Sequence, residues 1–156
     1  MKRRPPIKLS PVESEIVAEI KALRASPEGE FGAALLRSPA RLAYHFIHAT
    51  HGNVQLRLST IARELGTEMR SLERAFATEY SQTMAQCQVE VRLAFARTLL
   101  AIFPPTKISA IAAILGYDRA QDFNRFFKRH MRQSPSEWSR KEREKIASEQ
   151  RRPSAD

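Results

Sequence analysis

The amino-acid sequence predicts an all-α protein: two helix-turn-helix lobes joined by a long linker helix, with an N-terminal helical extension. Three observations lead there. The stretch Leu58-Ser59-Thr60-Ile61-Ala62-Arg63-Glu64-Leu65-Gly66 returns fifty residues later as Ile108-Ser109-Ala110-Ile111-Ala112-Ala113-Ile114-Leu115-Gly116. Past each glycine the likeness continues with one residue inserted in the second copy, so that Leu72, Arg74 and Phe76 answer to Phe123, Arg125 and Phe127. Apolar residues recur at helical spacing, with 5 glycines in 156 residues and no strand-like alternation. Helix-start spellings, a Ser or Thr followed three residues later by Glu or Gln, punctuate the chain.

Each element follows from local chemistry. Residues 1–9 read as a disordered basic arm, stiffened at Pro5 and Pro6. Ser10 caps a first helix, Pro11 suits its first turn and Glu13 is the capping-box acceptor. Val12, Ile16, Ile20 and Leu23 share one face of that helix, which ends near Ser26-Pro27. The face either packs on the first lobe or is presented to a partner; packing is the expectation, because an exposed apolar stripe invites aggregation. A loop holding Gly29 and a short apolar piece, Phe31 to Leu36, follow. Ser38-Pro39 starts a helix with Leu42, Phe46 and Ile47 as its buried stripe, stopping near Gly52.

Ser59 caps the next helix, and Gly66 ends it. Thr67 or Glu68 opens a further helix to Tyr80, with Leu72 and Phe76 inward. Thr83 and Gln86 box the start of the linker helix, which Phe103-Pro104-Pro105 stops near Ile102. Its ~19 residues span ~28 Å. In the second copy Ser109 caps, Gly116 turns, and Asp118 caps a helix with Gln121 at its third position. Ser134-Pro135-Ser136-Glu137 opens a last helix held by Trp138. The charged tail to Arg152 is expected to be helical near the domain and frayed beyond it. The resulting organisation is a basic arm and helical extension at 1–37, a first lobe at 38–83, a linker helix at 84–103, a second lobe at 104–140 and a charged tail at 141–156.

Charge and composition narrow the function. The chain has 26 Lys+Arg against 17 Asp+Glu, a formal net charge of +9. That balance suits a polyanionic partner: nucleic acid first, then an anionic membrane surface or an acidic protein. Cys87 is the only cysteine, which excludes an intramolecular disulfide and a Cys-rich zinc site. Neither a signal peptide nor a run of ~18 apolar residues is present, so the expected location is cytoplasmic. His45, His48 and His51 lie three apart on one predicted helix, but no carboxylate cluster is near them in sequence, and they read as surface or half-buried histidines rather than metal ligands. Cys87, among Met84, Ala85 and Val91, reads as part of a packed helix face. A phosphate-binding glycine loop, a serine elbow and paired catalytic carboxylates are all missing, so the sequence argues against an enzyme and implies no cofactor or metal.

The surface chemistry points to DNA. A helix-turn-helix sets its second helix into the major groove while the first holds it against the backbone. With Leu72 and Phe76 inward, Arg70, Ser71, Glu73 and Arg74 are left to point outward. Arginine can fork onto guanine O6 and N7, and glutamate can accept from cytosine N4. In the second copy Phe123 and Phe127 turn inward, leaving Arg119, Gln121, Asp122, Asn124, Arg125 and Lys128 more exposed. Gln121 and Asn124 can each bind adenine in bidentate fashion. Ser59 and Ser109, at helix N-termini, and the flanking Arg57 and Lys107 are candidates for phosphate contact. Solvated surface charge and plain capping are the bland alternatives for each residue; the same turn and basic helix appearing twice outweighs them.

Residues from about Leu42 to Arg140 resemble the DNA-binding domain of the AraC/XylS family of bacterial transcription regulators. The resemblance is carried by Ile108 to Tyr117, then Phe123, Arg125, Phe127-Lys128 and Ser134-Pro135-Ser136-Glu137-Trp138, with Arg92-Leu93, Ala96 and Leu99-Leu100 similar to the family's linker helix. It implies seven helices and two reading heads set in successive major grooves, one DNA turn being ~34 Å. By position it implies base reading by Arg70, Glu73 and Arg74 in the first head. In the second it implies Ala120, Gln121, Asn124 and Arg125, with Ala120 offering only a methyl. The chain departs from the family's pattern at Arg132 and Ser81, where glycine is usual, and at Cys87, where a tyrosine is usual.

The reading that results is a sequence-specific, double-stranded DNA-binding transcription regulator acting as a monomer on an asymmetric site. Activation would require contact with RNA polymerase; repression would not. The alternative is a helical interaction module that binds an acidic protein partner. About forty residues precede the lobes, too few for the effector domain that many relatives carry. The chain is expected to be either a short regulator or a fragment of a longer protein.

Overall fold

The computed structural model describes residues 6–25, 30–102 and 105–153, without the side chains of Glu30 and Phe31. The arm residues 1–5, the first helix's expected stop at Ser26-Pro27, Gly29 and the Phe103-Pro104 part of the linker's stop lie outside them. Among the described residues there are nine helices and no strand: α1 (Pro11–Ala25), α2 (Glu30–Arg37), α3 (Pro39–Ala49), α4 (Leu58–Glu64), α5 (Met69–Tyr80), α6 (Met84–Ala101), α7 (Ile108–Ile114), α8 (Ala120–Met131) and α9 (Pro135–Gln150). They form two compact units, Met1–Val91 and Arg92–Asp156.

The first unit gathers α1 to α5 and the start of α6. Its core holds Leu42, Phe46 and Ile47 of α3, Ile61 of α4, Leu72 and Phe76 of α5, and Met84 and Cys87 of α6. Ile16 and Ile20 of α1 join the same core, so the N-terminal helix packs on this lobe as its apolar stripe predicts. The start of α1 is a capping box: the Ser10 N–H donates to Glu13 Oε2 at 2.9 Å, and the Glu13 N–H donates to Ser10 Oγ at 3.2 Å. Ser38 caps α3 by accepting from the Arg41 N–H. At the end of α3 the Thr50 hydroxyl donates to the Phe46 carbonyl at 2.8 Å. Gln88 of α6 then ties down the loop that follows, its amide donating to the Asn53 and Leu56 carbonyls at 3.0 Å each.

The second unit contains the rest of α6 with α7, α8 and α9. Ala96, Leu100, Ile111, Ala112, Leu115, Phe123 and Phe127 form its core, and Trp138 packs against it, edge-on to Phe127 at 6.1 Å between ring centres. Arg92 is 7% exposed and spreads its guanidinium over Phe126, 5.0 Å from the ring centre, while Nη1 donates to the Tyr117 hydroxyl at 3.4 Å. A planar, weakly hydrated cation is suited to such burial. Ser139 closes the far end of α6, its hydroxyl donating to the Leu100 carbonyl at 2.8 Å.

The repeat seen in the sequence is a repeat of turn geometry. After α4, Gly66 adopts φ +67 and the Thr67 N–H reaches back to the Ala62 carbonyl at 3.0 Å. After α7, Gly116 adopts φ +89 and the Tyr117 N–H reaches the Ala112 carbonyl at 2.9 Å. This is the left-handed helix stop that glycine makes without steric cost. A Cβ at Gly66 would meet nothing within 4 Å, so the backbone angle, not space, demands glycine there.

Four local expectations are corrected. Ser59 and Ser109 do not cap: α4 and α7 begin two residues earlier than such caps would place them, with Arg57 and Lys107 at the N-cap, which leaves both serines inside the first turn. In the first copy a tertiary carboxylate takes over, because Glu13 Oε1 accepts from the Arg57 N–H at 3.1 Å. Asp118 lies one residue too early to cap α8, whose N-cap is Arg119. The tail is helical through Gln150 rather than frayed soon after the domain. The boxes at Thr83–Gln86 and Ser134–Glu137 form as expected.

Ser81 and Arg132 close α5 and α8 at φ +54 and +58, the region where a side chain is costly. Ser81→Gly and Arg132→Gly are each expected to stabilise the fold by about 0.5–1 kcal/mol, the relief of left-handed strain exceeding the extra freedom of glycine in the unfolded chain. Urea unfolding of each variant checks this; a lower midpoint for either would show that its side chain contributes more than its backbone costs.

Candidate nucleic-acid interface

The exposed face of each second helix is a consequence of burial on the opposite side. On α5, Leu72 is 1% and Phe76 0% exposed, four residues apart, which fixes the rotation of the helix. Arg70, Ser71, Glu73 and Arg74 are all exposed as a result. On α8, Phe123 and Phe127 are both 0% exposed, and Arg119, Gln121, Asn124, Arg125 and Lys128 are exposed. The structure therefore brings the expected polar residues together on each helix, separately in each unit. Ala120 is the exception: it is half-buried and packs toward the core of the second unit, so its methyl belongs partly to the fold.

Asp122 departs from the surface pattern: it is half-buried, and its Oδ1 accepts from Arg125 Nη2 at 2.9 Å. Arg129 is exposed one turn beyond Arg125 and lines the same shallow hollow with Asp122 and Phe126. Sequence reasoning passed over Arg129; its spacing of four from Arg125 was the signal that could have found it.

Among the four residues expected at the phosphate backbone, Arg57 has another task. Its Nε and Nη2 donate to the Glu13 carboxylate at 2.7 and 2.8 Å, and Nη2 also donates to the Lys8 carbonyl at 3.0 Å. The same carboxylate accepts from the Thr60 hydroxyl at 3.0 Å. Glu13 is fully buried, so its charge depends on these donors. Arg57 is thus engaged in fastening α1 to the start of α4, while its side chain stays 48% exposed. Ser59, Lys107 and Ser109 are exposed at the N-terminal ends of α4 and α7.

The discounted residues also find their places. Cys87 is 1% exposed, and burial pushes its thiol above the ordinary range. His48 packs its ring against Tyr44, and His45 sets its ring edge-on to Phe46. No group of three or more His, Cys, Asp or Glu side chains gathers in metal-holding range among the described residues. None of the described helices is long and apolar enough to cross a membrane.

Two helix pairs, each with a glycine stop and an exposed polar face on its second helix, define the class as helix-turn-helix. The comparisons agree and go further. A family of helix-turn-helix domains matches residues 61–141, just over half of the chain. The chain belongs to the AraC-type helix-turn-helix family, whose domains bind double-stranded DNA in transcription regulation. Among solved structures it is similar to the C-terminal domain of AraT, a response regulator from Geobacillus stearothermophilus, with 26% identity, a TM-score of 0.60, and 66% of this chain and 84% of that one covered. The C-terminal domain of the two-component response regulator yesN from Fusobacterium nucleatum shares the fold at 20% identity and a TM-score of 0.57, covering 64% of this chain and 95% of that one. So does a transcriptional regulator of the AraC-type from Chromobacterium violaceum, at 23% identity and a TM-score of 0.53, covering 73% and 96%. No curated protein sequence matches the chain.

The Glu13 cluster makes a pH dependence. The Arg57 guanidinium lowers the Glu13 pKa most; burial opposes it, and the Ser10 and Arg57 N–H groups and the Thr60 hydroxyl add to the lowering, from an ordinary 4.5 to about 2. The carboxylate therefore stabilises the fold fully above pH 4.5, and that contribution, on the order of 3 kcal/mol, is lost as pH falls toward about 2. Urea unfolding from pH 6 down to ~2 is expected to show this fall in the wild type and to lack it in Glu13→Gln, which should also be less stable at neutral pH. Parallel pH profiles for the two proteins would mean that the cluster does not hold the carboxylate charged.

Proposed function

We propose that this chain is a sequence-specific regulator of transcription that reads two successive major grooves of double-stranded DNA with α5 and α8. One observation carries the reading: the second helix of each pair buries an apolar stripe and leaves side chains with base-edge chemistry on its free face. In this reading 38–83 and 104–140 are the two lobes, 84–103 is the linker, 1–37 the extension and 141–156 the tail. Arg70, Arg74 and Arg125 bind guanine, Glu73 takes an amino group from cytosine, and Gln121 and Asn124 bind adenine. Ser71, Arg119 and Lys128 contact phosphate beside them, as do Lys107 and the N-terminal turns at Ser59 and Ser109. Ala120 contributes at most a methyl contact.

A chain with two heads can occupy an asymmetric site as a monomer, and such work places it with the genome in the bacterial cytoplasm. Contact with RNA polymerase would make it an activator. The excess of basic residues supplies the sequence-independent part of the affinity, which weakens steeply with salt because bound counterions are released from the duplex.

Selection of bound duplexes from a random library is expected to enrich one motif spread over two turns, with a steep fall in affinity between low and moderate salt. Arg74→Ala and Arg125→Ala should each cost about 1–3 kcal/mol on the best site and relax base preference at one position within their own half of it. Undiminished binding by both variants would remove them as base readers. Enrichment of no motif, with an acidic protein captured instead, would replace this reading with that of an interaction module.

A further inference from the structure

Each reading helix carries an acid beside its exposed bases, Glu73 on α5 and Asp122 on α8, and these two stand differently; the other acid of α5, Glu79, pairs with Arg41. On α5, Glu73 is exposed and stands outside the ion pairs found among the described residues. On α8, Asp122 is half-buried and accepts from Arg125 across one helical turn, while the Arg125 side chain stays 78% exposed. A carboxylate in the first turn of a helix is favoured by the helix N-terminus, which accounts for an acid at this place but not for its hold on Arg125. On a face that meets phosphate, an acid weakens binding to every sequence alike. A compensating gain must therefore be sequence-dependent.

Arginine supplies that gain. Its guanidinium has five N–H donors in a rigid fork, Asp122 engages one of them, and four remain, enough for the two bonds to guanine O6 and N7. An unrestrained arginine side chain loses rotamer freedom when it binds; one already held by a neighbour loses less. A restrained fork also tolerates fewer wrong acceptors, because it cannot swing to a neighbouring base or phosphate. Held charge and lost freedom both act at a single base pair.

We infer that Asp122 is a positioning residue for base recognition: it holds the Arg125 guanidinium in one orientation and so sharpens discrimination at the pair that Arg125 reads, at the expense of overall affinity. This inference rests on the DNA reading proposed above. The experiment measures binding of the full chain to three duplexes at fixed salt: the selected site, that site changed only at the pair where Arg125→Ala relaxes preference, and an unrelated sequence. Asp122→Ala is expected to lose roughly tenfold of the discrimination at that pair. It should bind the unrelated duplex as well as the wild type or better. On an Arg125→Ala background the same change should alter discrimination no further, and Asp122→Asn should fall between wild type and Asp122→Ala.

Retained preference in Asp122→Ala, with only a lower melting temperature, overturns the inference and leaves Asp122 as a helix-stabilising acid. So does a uniform loss on all three duplexes. A wild-type chain that selects no sequence overturns the DNA reading itself and this inference with it. The two failures are thus told apart by whether the wild type selects.

Discussion

The site depends on one constraint: two apolar side chains four residues apart on α5, and two on α8, must be out of water. Leu72 with Phe76, and Phe123 with Phe127, are essentially unexposed. Each such burial stabilises the fold by roughly 1.5–3 kcal/mol. Rotating either helix by even a quarter turn would forfeit that and bring charged side chains into the core. The polar face is thereby aimed outward without any device of its own. The exposed polar side chains can then vary without touching what holds the helices in place.

The turn between the helices of each pair adds the second degree of control. Gly66 and Gly116 end the first helix in the left-handed region, and the next N–H folds back on the helix it leaves. With the rotation set by burial and the direction set by the turn, little remains free. Ser81 and Arg132 use the same backbone region at the far ends of the reading helices, but without glycine. Their strain is tolerated because the cores on either side over-determine the path of the chain.

The N-terminal helix bears on the first head through a buried charge. Glu13 begins as the local acceptor of a capping box and ends as the hub of contacts with Ser10, Arg57 and Thr60. A buried carboxylate is tolerated only when its lone pairs are satisfied, and here, besides the local Ser10 N–H, the donors come from α4 and the residue before it. The extension is consequently part of the helix-turn-helix framework in the first unit. The second unit also buries a charge: Arg92 lies against the rings of Tyr117 and Phe126.

What the sequence determined alone was whatever depends on short-range pattern. The helical class, the doubled helix-turn-helix, the boxes at Ser10, Thr83 and Ser134, and the outward set on each reading helix follow from periodicity and capping chemistry within a few residues. Helix starts at Ser59, Ser109 and Asp118 were misplaced because the N-caps there carry no side-chain signature, and in the first copy the acceptor is 44 residues away, in Glu13. For the same reason Arg57 read as a surface cation. Only tertiary structure decided that it faces a buried carboxylate and that Ala120 leans on the core. Local pattern records which groups are polar. Which partner each polar group takes is settled by burial, since a desolvated charge must accept whatever complementary group the packing brings to it.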